Sequence, residues 1–280
     1  MVISNKMAGR VTSIITTDKA VATDEIRLSI CLGANGFSFS AMTVGRELLT
    51  FGEAEIDLHR GMGELSQSIT GLFTSAGIPT FGCKEVSLVV PTNHAVWVPE
   101  HLYDAGRDSQ YLKMAASMDG SMGVFHAYCE CMQSWVVFAA EAETVTAFKV
   151  AIPGVDVVCQ HVVLVNETLI QRSAQHPMML MHVRDGVGDY EAFYNQRILL
   201  SNSFMAGSDD ELLYHALEVM KRLHLETPDM ELAICGEVGR EMYGMLQHYF
   251  PNVTLYTGIP FTYANPAFQT LHSYKYVMVL

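Results

Sequence analysis

Positive charge is scarce in this 280-residue chain: 17 Lys and Arg face 30 Asp and Glu, a formal net charge of −13. A field of that sign repels phosphate backbones, so nucleic acid is not an expected partner. Charged residues of either sign make up only 17%, while 50% are hydrophobic, which excludes a disordered chain. Long apolar runs are also missing. Trp135 to Ala140, the longest, stops at Glu141, so no segment is expected to enter a membrane. Ser13, Thr16, Thr17 and Asp18 interrupt the first twenty residues where a secretory leader would need a continuous apolar core, and a cytoplasmic location follows as the expectation. Without an oxidising compartment, Cys31, Cys83, Cys129, Cys131, Cys159 and Cys235 are expected as buried thiols. The local signatures of P-loop, dinucleotide-binding, zinc-protease and serine-hydrolase sites do not occur.

What is present is periodic. After a polar leader to about Thr23, alternation at Ile26, Leu28, Ile30, Leu32, then Phe37, Phe39, Ala41, predicts three antiparallel strands with turns at Asn35-Gly36 and Gly45-Arg46. From Glu64 the spacing becomes helical, with Leu65, Ile69, Leu72, Phe73 and Ala76 on one face and Gly77 at the end. Val86 to Val90 reads as a strand buried on both faces. The same series returns from Met178: three strands, a helix striped by Leu212, Leu213, Ala216, Leu217, Met220 and Leu223 with a Ser208/Glu211 capping box, a buried strand Met230 to Gly236, a helix and a last strand. Between the copies lie two strands, VFHAYCEC and SWVVFAAE, a helix ending at Pro153-Gly154, a strand VDVVCQHVVL and a short helix around Leu169. The expected organisation is a first lobe over 24–119, an inserted subdomain with its return over 120–176, and a second lobe over 177–280, closed by an apolar tail, YVMVL.

A duplicated strand-strand-strand-helix-strand-helix unit resembles the actin-like ATPase superfamily, whose lobes have a ribonuclease H-like topology. The run WVVFAAEAETVTAFKVAIPGVDVVCQHVVLVNETLIQRSA is similar to the matching region of actin-like pilus-assembly and cell-division proteins. With LSICLGANGFSFSAM, WVPEHLYD, DYEAFYNQRILLSNSF and LAICGEV, the whole resembles a bacterial family of unassigned function with this fold. The resemblance implies an α/β protein: duplicated ribonuclease H-like lobes of the actin-like ATPase fold with a small inserted α+β subdomain.

The resemblance also implies where nucleotide chemistry would sit. Actin-like ATPases carry an Asp at the end of the first strand of each lobe to hold Mg²⁺ and phosphate. Cys31-Leu32-Gly33 and His182-Val183-Arg184 stand at those places here, so both carboxylates are missing. Asp185, Gly186 and Gly188, leading to Asp189, are either a displaced phosphate loop or a hairpin turn, and Asp-Gly is the expected turn chemistry. Gly236, Glu237 and Gly239 fill the place of the adenosine loop, although glycine also punctuates ordinary strand-to-helix turns. Gly33, Asn35, Asp185, Gly186, Gly188, Gly236, Glu237 and Gly239 are therefore the candidate binding residues, with no catalytic or metal residue assigned.

Three function classes compete. The first is a non-catalytic platform that binds another protein and needs no cofactor. The second is an ATP-binding or weakly hydrolysing assembly factor using ATP with Mg²⁺. The third, a nuclease of the same topology, needs an Asp on the first strand, where Cys31 stands. Two smaller readings stay beside them. Cys129-x-Cys131 and Cys159-x-His161 would offer zinc two ligands each from a strand face, but inward-facing small residues explain both pairs. His182 and Arg184 would share a strand face and bind an anion, or be a satisfied histidine beside a surface arginine.

Overall fold

The computed structural model describes residues 9–17, 19–115, 120–171, 176–195, 197–226, 228 and 230–280. Residues 1–8 of the polar leader and residue 119, the expected end of the first lobe, lie outside the described residues. In chain order come β1 (Arg10–Thr16), β2 (Ile26–Gly33), β3 (Gly36–Thr43), β4 (Glu47–Glu55), α1 (Met62–Ser75), β5 (Glu85–Val90), β6 (Ala95–Pro99), α2 (Asp108–Ala115), β7 (Met122–Cys129), β8 (Ser134–Glu141), α3 (Ala142–Ala151), β9 (Asp156–Cys159) and α4 (Gln160–Gln171). They are followed by β10 (Met178–Arg184), β11 (Val187–Tyr194), β12 (Arg197–Met205), α5 (Asp209–Arg222), β13 (Glu231–Gly236), α6 (Arg240–Tyr249), β14 (Asn252–Leu255) and β15 (Thr262–Tyr263).

Two sheets share one plan. The first runs β1-β4-β3-β2-β5-β9, with β15 added beside β4, and the second runs β12-β11-β10-β13-β14. In each, an antiparallel meander turns into a parallel neighbour after a helix: β2 pairs parallel with β5, and β10 with β13. The turns follow their residues. Asp185 and Gly186 both have positive φ, +36° and +71°, the two-residue geometry that matches strand twist. Gly36, at φ +151°, admits no side chain because a Cβ would sit 1.9 Å from the Ala54 carbonyl oxygen.

The helices follow their stripes. Leu65, Ile69, Leu72 and Phe73 of α1 are buried under the first sheet, where Phe37 stacks on Phe73 at 5.7 Å and meets Phe148 edge-on at 5.4 Å. Leu212, Leu213, Ala216 and Val219 bury α5 against the second sheet. At the start of α5, Ser208 Oγ accepts from the Glu211 amide at 3.3 Å, while the Glu211 carboxylate accepts from Gly207 N at 2.6 Å. The tail ends buried: Val279 and Leu280 pack with Met42, Leu48, Phe51 and Phe268, and Val277 and Met278 with Val89, Leu164 and Leu180.

Three local expectations change. The leader contributes β1, an edge strand pairing β4 from Arg10 to Thr16, in place of an irregular segment. The strand expected over 155–164 ends at Cys159, where Gln160 opens α4, because the apolar run suits one buried helix face as well as a strand. The small third sheet, β6-β8-β7, takes β6 from the stretch expected to belong to the first lobe, so it begins before Gly120.

Candidate functional site

The two hairpin turns face one another across a cleft of about 800 Å³. Gly33, Asn35 and Gly36 line it from the β2-β3 turn, Asp185 from the β10-β11 turn, and Gly236 and Glu237 from the end of β13. The loop after β5 adds Thr92, Asn93 and His94. Gly236 has φ +87°, and a Cβ there would lie 2.2 Å from the Val183 carbonyl oxygen, so glycine is required by the close passage of β10.

Five of the eight candidate residues are thus brought together: Gly33, Asn35, Asp185, Gly236 and Glu237. The other three do not line the cavity. Gly186 is the second residue of the hairpin turn, and Gly188 faces Tyr190 and Leu212 on the α5 side. Gly239 is the residue before α6, with open space around it.

Beneath the cleft lies a charged network that joins both sheets. Asp189, fully buried on β11, takes a two-point bond from Arg184: Nε donates to Oδ2 at 2.9 Å and Nη2 to Oδ1 at 3.0 Å. His182 Nδ1 donates to Oδ2 at 2.9 Å, and Ser203 Oγ and Gln160 Nε2 donate to Oδ1 at 2.6 and 3.1 Å. Gln160, at the start of α4, exchanges bonds with the Thr92 backbone, donating to its carbonyl at 2.6 Å and accepting from its amide at 3.0 Å. Arg184 Nη2 also reaches Asn93 Oδ1 at 2.8 Å. Next to this set, His161 Nδ1 meets Glu191 Oε1 at 2.5 Å with both side chains buried.

The surroundings set the proton affinities. Burial works to raise the Asp189 pKa, but the His182 hydrogen bond and the Arg184 charge outweigh it and hold the carboxyl far below the usual range. Glu191 goes the other way: burial pushes its carboxyl up, only partly opposed by His161. Burial pulls His161 down, yet the Glu191 charge and hydrogen bond raise it overall, so this pair holds on to its proton. Cys31, on β2 where it lines the cleft, is pushed up to about 12 by burial. A neutral thiol is no ligand for a hard cation.

The sequence pattern marks only part of this network. His182, Arg184 and Asp189 stood out, but the first two turn to Asp189 instead of offering themselves to an anion. Thr92, Gln160, His161, Glu191 and Ser203 were missed. The Gln160-His161 pair inside an apolar run was their available signal. Nor do Cys159 and His161 share a strand face, since His161 sits in the first turn of α4 and points to Glu191. Among the described residues no three or more His, Cys, Asp or Glu side chains are grouped to hold a metal ion. None of the described helices is long and apolar enough to cross a membrane.

Residues 16–253 match a family model described as Protein of unknown function (DUF3822). The chain is similar to a protein of unknown function with an actin-like ATPase fold from Bacteroides thetaiotaomicron, at 20% identity and a TM-score of 0.71 over 88% of this chain and 93% of that one. It is also similar to a chain of the PilM-PilN type IV pilus biogenesis complex, at 10% identity and a TM-score of 0.60 over 90% of this chain and 96% of that one. No curated protein sequence matches. At these identities the likeness is one of fold: the chain has the actin-like ATPase fold.

Proposed function

Because the chain belongs to the DUF3822 family and carries the actin-like ATPase fold, we propose that it is a non-catalytic platform, a two-lobed frame that binds another protein. One observation carries this reading. The strand positions that would hold magnesium through carboxylates are Cys31 and His182, and Asp189, the carboxylate next to them, has both oxygens engaged by Arg184, His182, Ser203 and Gln160. A hydrated Mg²⁺ needs free oxygen ligands, and these residues do not fit it. Glu53, Glu55, Glu141, Asp185 and Glu237 around the cleft add charge of the same sign as a triphosphate. The PilM-PilN complex, in which a chain of this fold is joined to a protein, supports the partner reading.

A second reading rests on the cleft itself. A cavity of about 800 Å³ lined by Gly33, Asn35, Asp185, Gly236 and Glu237 has room for a nucleotide, which is what an ATP-binding assembly factor with a divergent phosphate site would use. Calorimetric titration separates the two. The platform gives no saturable heat with ATP and Mg²⁺ up to about 1 mM, a binding free energy of roughly −4 kcal/mol. Saturable binding that is lost in Asn35→Tyr, at the exposed rim of the cleft, overturns the platform and supports the nucleotide reading. A photo-crosslinking residue at position 35 in living cells should then yield one dominant protein adduct, and its absence counts against a partner seated at this cleft.

A further inference from the structure

Away from the cleft, on the small sheet, two thiols converge on one acceptor. Cys129 ends β7, and Cys131 lies in the single turn, Glu130–Met132, that leads to β8. Their sulfurs are 3.4 Å apart, and both point at the Asn166 carboxamide oxygen on α4, Cys131 at 2.9 Å and Cys129 at 3.3 Å. Cys131 is exposed while Cys129 is buried behind it. This arrangement supplies an accessible sulfur, a buried sulfur beside it, and a carboxamide oxygen that accepts from both.

We propose that Cys129 and Cys131 are a redox site that a low-molecular-weight disulfide oxidises to an internal disulfide. The Cys131 thiolate attacks one sulfur of the external disulfide, forming a mixed disulfide and releasing one thiolate of the oxidant. Cys129 then gives up its proton to solvent and attacks the Cys131 sulfur, expelling the second thiolate. The protein loses two protons and two electrons, and the external disulfide takes up both to become two thiols.

The thiol acidities agree with that division of labour. The hydrogen bond from Cys129 lowers Cys131 below the ordinary cysteine value, and the same contact raises Cys129. The other four, Cys31, Cys83, Cys159 and Cys235, are all raised by burial, so Cys131 alone combines exposure with easier ionisation. Oxidation also removes both S–H donors from Asn166, on the helix whose first turn carries Gln160 and His161.

The test uses the full-length folded protein and oxidised glutathione, read by intact mass after acid quenching. Wild type should lose two hydrogens and retain no glutathione, reversibly on adding excess thiol. Cys129→Ser should stop at one glutathione adduct on Cys131, and Cys131→Ser should stay unmodified because the remaining sulfur is buried. Wild type that remains fully reduced at oxidant levels that modify Cys129→Ser, or that accumulates a stable adduct, overturns the proposal. So does loss of two hydrogens in Cys131→Ser, since the bridge would then lie elsewhere.

Discussion

Cys31 pairs with Ser38 across the first hairpin, and His182 pairs with Asp189 across the second, two residues back from each turn. Two residues further back, Ser40 stands in the first sheet where Glu191 stands in the second. Gly33, the last paired residue of β2, corresponds in the same way to Arg184. Matched positions of one topology thus hold small neutral groups on one side of the cleft and a buried ionic cluster on the other. The neighbours account for the difference. Ser40 is covered by the chain's tail and donates to the Val279 carbonyl, which a hydroxyl suffices to satisfy. The second sheet faces α4 and the loop after β5, whose Gln160, His161, Thr92 and Asn93 supply enough donors and acceptors to keep charges out of water. Ionised groups are tolerated inside a fold only where several elements deliver partners together.

The largest test of this contrast removes its centre. Asp189→Ala strands Arg184 and His182 without their anion and should cost about 3–5 kcal/mol in urea unfolding. Ser38→Ala, at the matched position of the first hairpin, should cost no more than about 1 kcal/mol. Comparable losses at the two sites would mean that the ionic cluster is not what distinguishes the sheets.

A smaller effect concerns pH. His161 and Glu191 both have folded pKa values above their unfolded ones, so each contributes most below its unfolded value and loses that contribution as pH rises through the folded one. Asp189 has the opposite sign, contributing above the unfolded carboxylate value near 4 and losing its share only in stronger acid. The urea midpoint should therefore fall as pH rises above the ordinary histidine value near 6.5, and His161→Gln, which removes the histidine's share, should flatten that fall. Ser40→Ala, which removes no titrating group, should keep it. A slope unchanged by His161→Gln would move the pH response out of the second sheet.

The smallest contrast lies in the helices beneath the sheets. Ser208 caps α5 through its side chain, whereas α1 begins after Gly61 with no side-chain cap. Thermal or urea unfolding should show Ser208→Ala losing about 1 kcal/mol and Gly61→Ser gaining only a few tenths.

Much of the frame was legible because its signals are local. Alternation at Ile26, Leu28 and Ile30, the Asp185-Gly186 turn and the stripe of Leu212, Leu213 and Ala216 are each signals carried by a short stretch of chain. The strand β1 escaped notice because RVTSIIT has no clean alternation and exists as a strand by pairing with β4. Of the eight candidate residues five meet at the cleft, while Gly188 faces Tyr190 and Leu212 on the α5 side of its strand. A single residue step decides that face, and no glycine announces it.

Taken alone, the order of amino acids settled the duplicated plan, the places of the hairpins and the absence of a carboxylate at positions 31 and 182, since periodicity, turn chemistry and residue identity are properties of short stretches. Tertiary structure decided that Thr92, Gln160, His161, Asp189, Glu191 and Ser203 would become one network, and that Cys131 would be exposed beside a buried Cys129. Hydrogen bonds between distant segments leave no periodic trace in either segment, and burial depends on what the rest of the chain folds over each group.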